Sequence, residues 1–139
     1  MLRSLKDTLK SVQVLIAGPL TSTTATAGVD LQDANSIMFL VSVGAMAFTG
    51  TDKLSLTVQH SDTDSAYANA TDSDIFNAED GDNGIAKILD AAGDASKVHS
   101  VHYRGNKRFV RLNIVEGGTV SVVLDVVAVS GHQELMPPL

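Results

Sequence analysis

Short segments rich in apolar and β-branched residues recur along the chain and are separated by turn residues. Residues 54–59 alternate between apolar and polar side chains, which predicts a strand with one buried face and one solvated face. Ser36 to Val43 is apolar on both faces and predicts a central strand covered by a layer on each side. The other predicted strands are 12–17, 98–103, 109–115 and 119–129. Because no long helix alternates with these strands, the sequence predicts an all-β fold, an antiparallel β-sandwich or jelly roll.

The turn residues between these segments indicate which strands are neighbours. Thr49 to Asp52 lies between two predicted strands, a spacing that suits antiparallel neighbours. Arg104 to Lys107 contains glycine and asparagine, and it predicts that the strands on either side of it form a β-hairpin. Gly117-Gly118 makes a further turn, and Ile85 to Leu89 is either a short strand or a helical turn.

Leucines recur at spacings of three and four near the start of the chain, at Leu2, Leu5 and Leu9. This spacing predicts a short amphipathic helix over Met1 to Lys10. Ten residues are too few for a stable isolated helix, so the segment is either a frayed terminus or an arm that orders against a partner. The predicted organisation is an arm at 1–11, one β-sandwich domain at 12–130 and a C-terminal tail at 131–139.

The stretch between His60 and Gly84 is polar and acidic and has few large apolar residues. It predicts a long surface loop, the kind of segment in which interaction sites are common. A calcium loop that began at Asp80 would need glycine at its sixth position and glutamate at its twelfth. The sequence has neither residue there, which favours a solvated acidic loop over an ion site.

Composition excludes several function classes. The chain has 139 residues and a formal net charge of −6, so its overall field repels phosphate backbones and disfavours nucleic acid as a partner. It has no cysteine, which rules out disulfides and thiolate chemistry. No uncharged stretch is long and apolar enough to span a bilayer, and no clean signal peptide is recognisable. We therefore expect a protein that is made in the cytoplasm and has no membrane partner.

No constellation for catalysis stands out in the sequence. The chain contains neither a Gly-x-Ser-x-Gly elbow nor a glycine-rich phosphate loop. His99 and His102 are three residues apart, so on a strand they point to opposite faces and cannot chelate one metal ion. We predict no enzymatic activity, no catalytic residues, no metal site and no cofactor.

The clearest positional signal is a basic cluster in an otherwise acidic chain. It consists of Arg104, Lys107, Arg108 and Arg111. One interpretation is a docking surface for an acidic patch on another subunit, because arginine forms bidentate pairs with carboxylates. The other is internal pairing with the acidic loop between Asp62 and Asp82. The sequence leaves both open, since exposed ion pairs contribute only about 0–1 kcal/mol and do not select partners.

Two segments carry a resemblance to a known family. Residues 54–62 end in Gln-His-Ser-Asp, and residues 101–112 contain Tyr-Arg-Gly-Asn-Lys-Arg-Phe-Val-Arg. They resemble the strand ending in Gln-His-Ser-Asp-Asp and the later Gly-Tyr-Arg-Gly-x-Lys-Arg-Tyr-Val-Arg of small capsid decoration (cement) proteins of tailed bacteriophages. The resemblance covers about residues 35 to 130. The chain departs from it at Val101-His102, where a glycine is usual.

This resemblance implies a jelly-roll structural protein on the outer surface of the virion. Such a protein is a homo-oligomer, a trimer or a dimer, and it stabilises the capsid by bridging subunits of the major capsid protein. The residues expected to contact the capsid or a sister subunit are Leu2, Leu5, Leu9, Arg104, Lys107, Arg108 and Arg111. The alternative function is a ligand- or carbohydrate-binding β-sandwich module, which the aromatic content of 4% disfavours.

Overall fold

The computed structural model describes residues 9–32, 34, 36–48, 51–76, 78 and 83–131 of the chain. Ten β-strands account for most of these residues, and two single 3-10 turns lie at Asp72–Asp74 and Ala92–Asp94. The strands are β1 (Leu9–Leu20), β2 (Thr24–Ala25), β3 (Val29–Asp30), β4 (Ser36–Phe48), β5 (Lys53–Ser61), β6 (Ala68–Asn69), β7 (Ile85–Leu89), β8 (Lys97–Tyr103), β9 (Phe109–Gly117) and β10 (Val120–Gly131).

The strands form two antiparallel sheets. The four-stranded sheet has the order β1-β10-β4-β8. The six-stranded sheet is built on β2-β9-β5-β6, and β3 pairs with β9 while β7 pairs with β5. Within the described chain no helix is long and apolar enough to cross a membrane. The protein is an all-β antiparallel sandwich, which confirms the predicted fold class.

The core lies between the two sheets, because alternate residues of the long strands point inward. Its largest fully buried side chains include Phe39 from β4, Leu56 from β5, Leu112 and Ile114 from β9, and Val126 from β10. Each fully buried side chain of this size contributes roughly 1.5–3 kcal/mol of transfer free energy. The apolar residues of the alternating pattern therefore form the packing interface between the two sheets.

Two predicted strand pairings are wrong. The strands that flank Thr49 to Asp52, β4 and β5, belong to opposite sheets and are not neighbours. The strands that flank Arg104 to Lys107, β8 and β9, also lie in opposite sheets and do not form a hairpin. In both places the connection crosses from one sheet to the other, which the local turn residues do not reveal.

The strand at 36–43 is central in its sheet, but the described part of the chain covers it on one face only. Phe39 and Val41 are fully buried, whereas Met38 and Leu40 are partly exposed on the other face. The prediction that layers cover both faces is therefore wrong. The ambiguous segment at 85–89 is the strand β7.

The described chain begins at Leu9, and both Leu9 and Lys10 belong to β1. The predicted N-terminal helix is therefore wrong at its last two residues, because these pair with β10 instead. Leu2 and Leu5, with the rest of residues 1–8, lie outside the described residues, as does the tail from 132 to 139.

The acidic stretch after β5 has more structure than a solvated loop. It contains the short strand β6, the 3-10 turn at Asp72–Asp74 and the buried Ile75, which bridges to Tyr103. The carboxylate of Asp74 accepts a hydrogen bond from the backbone N–H of Thr71, which holds the turn. Asp80 and Asp82 lie outside the described residues.

Candidate functional site

The strand register brings the predicted contact residues to one end of the sandwich. Leu9 lies opposite Gly131, and Gly131 lies opposite Ser36. In the next row of the same sheet Ile37 lies opposite Tyr103, the last residue of β8. Neighbouring strands are about 4.8 Å apart, so β1 and the start of segment 104–108 are separated by roughly 14 Å across the sheet. We call this end, with Leu9 and segment 104–108, the basic end.

Arg108 is held by a carboxylate from the segment before β4. Its Nε and Nη2 atoms donate hydrogen bonds of 2.9 Å each to the two carboxylate oxygens of Asp30, and Nη2 also donates to Gln32 Oε1 at 2.7 Å. The hydrogen bond from Arg108 lowers the pKa of Asp30 to about 2. The guanidinium carbon also lies 5.0 Å from the ring centroid of Phe109. Arg108 is thus fixed in a bidentate geometry, although its partner is part of the same chain.

Lys107 pairs with the acidic loop. Its Nζ lies 2.8 Å from Asp62 Oδ2, and both side chains are exposed. An exposed pair of this kind contributes only about 0–1 kcal/mol, so Lys107 can exchange Asp62 for another carboxylate at little cost. Asp62 belongs to the acidic loop between Asp62 and Asp82, so this pair agrees with the interpretation in which the basic cluster pairs internally.

Arg104 contacts neutral acceptors. Its Nε donates to the backbone oxygen of Ser73 at 2.8 Å, and its backbone N–H donates to the oxygen of Asp74 at 2.7 Å. The guanidinium carbon lies 6.0 Å from the ring centroid of Phe76. Within the described part of the chain no carboxylate forms an ion pair with Arg104, so its charge is positioned without being neutralised.

Arg111 does not belong to segment 104–108 of the basic end. It projects from the outer face of the six-stranded sheet, while its neighbours Val110 and Leu112 are fully buried, as the alternation predicted. Its Nε donates to Gln59 Oε1 at 2.9 Å, and its guanidinium carbon lies 4.2 Å from the ring centroid of Tyr67. The structure therefore separates Arg111 from the other three cations.

The hydroxyl of Tyr103 connects segment 104–108 to His60, and we call these contacts the tyrosine hub. The hydroxyl of Tyr103 lies 2.9 Å from His60 Nδ1 and accepts the backbone N–H of Lys107 at 3.2 Å. Burial raises the pKa of this hydroxyl, since the residue is only 4% exposed. An added Cβ at Gly105 would lie 2.5 Å from Tyr103 Cζ, so glycine is required for this close approach.

A groove runs beside the hub, between residues 31, 32 and 34 on one side and segment 105–108 on the other. Its volume is about 450 Å³. It is lined by Leu31, Gln32, Ala34, Asp62, Gly105, Asn106, Lys107 and Arg108. The ion pair between Lys107 and Asp62 lies along the groove, together with Arg108.

The remaining candidate chemistry is dispersed. His99 and His102 project to opposite faces of β8, as predicted: His99 Nε2 lies 2.9 Å from the backbone oxygen of Asp94, and His102 contacts the ring of Phe76. In the described ranges no group of three or more His, Asp or Glu side chains could hold a metal ion.

Sequence reasoning missed Asp30, Gln32 and the pair His60 and Tyr103. Asp30 lies 78 residues before its partner Arg108, and His60 lies 43 residues before Tyr103. No local pattern connects residues so far apart. The one available signal was the placement of His60 and Tyr103 at the ends of predicted strands.

Comparison with known proteins adds little to this geometry. The chain matches no protein-family model and no curated protein. Its fold is similar to part of a solved structure, the CBM22-1 and GH10 modules of the N-terminal endo-1,4-β-D-xylanase 10B of Clostridium thermocellum complexed with xylohexaose. The identity is 13%, the TM-score is 0.45, and the match covers 96% of this chain and 28% of that one.

Proposed function

We propose that this chain is a structural virion protein that decorates the outer surface of a tailed-phage capsid and stabilises it by bridging subunits of the major capsid protein. One observation carries the proposal: Leu9, where the predicted arm joins the sandwich, and the cations of segment 104–108 meet at the same end of the molecule. The resemblance in residues 54–62 and 101–112 supports the same role. In this role the protein is a homo-oligomer without catalytic activity.

The basic end has the properties of an electrostatic contact. Arg104 is positioned by neutral acceptors and keeps its charge available to an incoming carboxylate. Lys107 and Arg108 have exposed carboxylate partners that a shell surface can replace. Arg104 is therefore the cation at this end from which an acidic partner surface gains most.

The apolar part of the contact comes from the arm. Leu9 is 43% exposed at the corner of the four-stranded sheet, and Leu2 and Leu5 precede it in the chain. Apolar burial adds affinity that charge pairs alone do not supply, because the desolvation of exposed ions offsets most of their attraction. We therefore expect the arm to strengthen attachment and the cations to orient it.

The test is a binding titration with purified capsid shells. These shells are assembled from the major capsid protein and lack this protein. Arg104→Glu with Lys107→Glu should weaken binding on the order of 100-fold at low salt, and the wild-type affinity should fall as salt rises. Lys53→Glu with Lys97→Glu is the matched control, because it makes the same charge change at the opposite end of the sandwich. Equal losses in both double variants, with intact melting curves, would rule out docking through the basic end.

The alternative function, a ligand- or carbohydrate-binding module, has one observation in its favour. Tyr67, Arg111, Gln59 and Asn69 form a hydrogen-bonded and stacked group on the outer face of the six-stranded sheet. However, Arg111 already covers one face of the only tyrosine there, which leaves less ring surface for a sugar to stack on. Binding of soluble xylan or another glycan that is lost in Tyr67→Ala, without any binding to shells, would favour this alternative.

A further inference from the structure

The outer face of the four-stranded sheet has an apolar centre that is flanked by polar positions. Cross-strand partners project to the same face, so the residues there follow from the register. Val127 lies opposite Leu40, Val129 lies opposite Met38, and Val123 alternates with two buried neighbours in β10. We call this surface the outer apolar face, and its apolar members are Met38, Leu40, Val98, Val123, Val127 and Val129.

These side chains are accessible in the single chain. Val98 is 62% exposed and Val123 is 51% exposed. Phe76, which is 55% exposed, packs edge-on against His102 at the β8 side of the same sheet and extends the patch with an aromatic ring. Met38, Leu40, Val127 and Val129 are neighbours at the centre of this face, and an apolar centre with a polar rim is typical of an interface.

Charge is nearly absent from this face. Among its described positions, given by the register of β1, β10, β4 and β8, Asp125 is the one acidic residue. The other polar residues on this face are uncharged serines, a glutamine and a histidine: Ser11, Gln13, Ser36, Ser42, Ser100, His102 and Ser121. Since each chain carries a net charge of −6, two copies repel least when they approach through a surface that holds so little of that charge.

The area also suits a second copy. Four strands about 4.8 Å apart, each contributing about nine residues at 3.4 Å, give a face of roughly 19 Å by 30 Å. Two such faces bury about 1,200 Å² in total, which is the lower limit for specific protein interfaces. Two antiparallel sheets can pack face to face in this way, with side chains of the two faces interdigitating.

We propose that a second copy of this chain packs face to face on the outer apolar face. The same valines and leucines are then buried in both copies, as in an isologous pair. The opposite sheet does not serve as well, because its outer face carries Arg111, Gln59 and Asn113. This proposal does not depend on attachment to a capsid, and its test uses the protein alone.

The test measures the molar mass of the full chain by sedimentation equilibrium over a range of concentrations. The wild type should show twice the 14.6 kDa of one chain. Val127→Lys places a charge at the centre of the face and should raise the dissociation constant on the order of 100-fold, because burial of an unpaired charge is unfavourable. Val115→Lys is the matched control on the outer face of the other sheet and should leave the dimer intact.

Circular dichroism melting keeps the result interpretable. Val127 is partly exposed in the single chain, so Val127→Lys should fold. If it does not, Val98→Lys at the edge strand β8 replaces it, since Val98 is the more exposed residue. A wild type that stays monomeric, an oligomer with an odd number of copies, or a dimer that survives the lysine substitution would overturn the proposal. If the wild type forms the dimer but does not bind capsid shells, the result counts against the proposed function instead.

Discussion

Arg108 and Asp30 are joined by two parallel hydrogen bonds, each 2.9 Å long, although 78 residues separate them in the chain. Asp30 is the last residue of β3 and Arg108 directly precedes β9, so the pair connects these two strands. Two bonds in one plane fix the orientation of the guanidinium as well as its position. The pair therefore fixes Arg108, which lines the groove at the basic end.

The first prediction concerns the pH dependence of this pair. The folded pKa of Asp30 is about 2, below the ordinary value of 3.8. A depressed pKa contributes stability above the unfolded value, and this contribution is lost as pH falls from about 3.8 through about 2. The melting-temperature difference between the wild type and Arg108→Gln should therefore be larger at pH 5 than at pH 2.

Direct titration of the carboxylate by NMR checks the cause. In Arg108→Gln the pKa of Asp30 should return towards 3.8, whereas Lys107→Gln should leave it low because Lys107 pairs with Asp62. A low pKa that persists in Arg108→Gln would show that Arg108 is not what holds it down.

The second prediction concerns the hydroxyl of Tyr103. Tyr103→Phe removes the partner of both His60 Nδ1 and the Lys107 backbone N–H. We expect a loss of about 1–2 kcal/mol in the free energy of unfolding, because these groups are left partly buried and unpaired. Urea denaturation measures it. Tyr67→Phe is the control: its hydroxyl bonds the exposed Asp64, so it should cost less than about 1 kcal/mol, and an equal loss in both would contradict the hub.

The third prediction concerns the glycine beside that tyrosine. In Gly105→Ala the new methyl would overlap the ring of Tyr103, so either segment 104–108 or the ring must move. We expect a destabilisation of about 1–3 kcal/mol, typical of an overpacked site. Gly93→Ala is the control, because nothing lies within 4 Å of its added Cβ. Thermal unfolding that is unchanged in Gly105→Ala would mean that the close approach is not maintained in solution.

Much of the fold could be predicted from side-chain periodicity. The alternation at 54–59 correctly marks Leu56 as buried, but the solvated face that it predicts is wrong, because Ser55 and Thr57 are buried as well. The alternation around Arg111 correctly marks that residue as outward-facing. Periodicity reports which way a side chain points relative to a sheet, and that information is local. For this reason the side-chain pattern is enough to predict where most of the long strands lie.

Strand partners could not be predicted in the same way. The turn at 104–107 has hairpin residues, yet β8 and β9 lie in different sheets, because a short connection can cross the core as readily as it can reverse within one sheet. The charge cluster shows the same limit. Its composition marked Arg108 as important, but Asp30 becomes its partner only through the pairing of β3 with β9.

The pairing of β1 with β10 has a consequence for synthesis of the protein. Among the described strands β1 pairs with β10 alone, and β10 is the last strand of the sandwich. At translation rates of about 5–20 residues per second, the hundred or so residues between them take roughly 5–20 s to emerge. Throughout that interval β10, the partner strand of β1, is missing from the nascent chain, and the apolar residues of β1 stay exposed to aggregation. We therefore expect β1 to be the segment that chaperones hold at the ribosome.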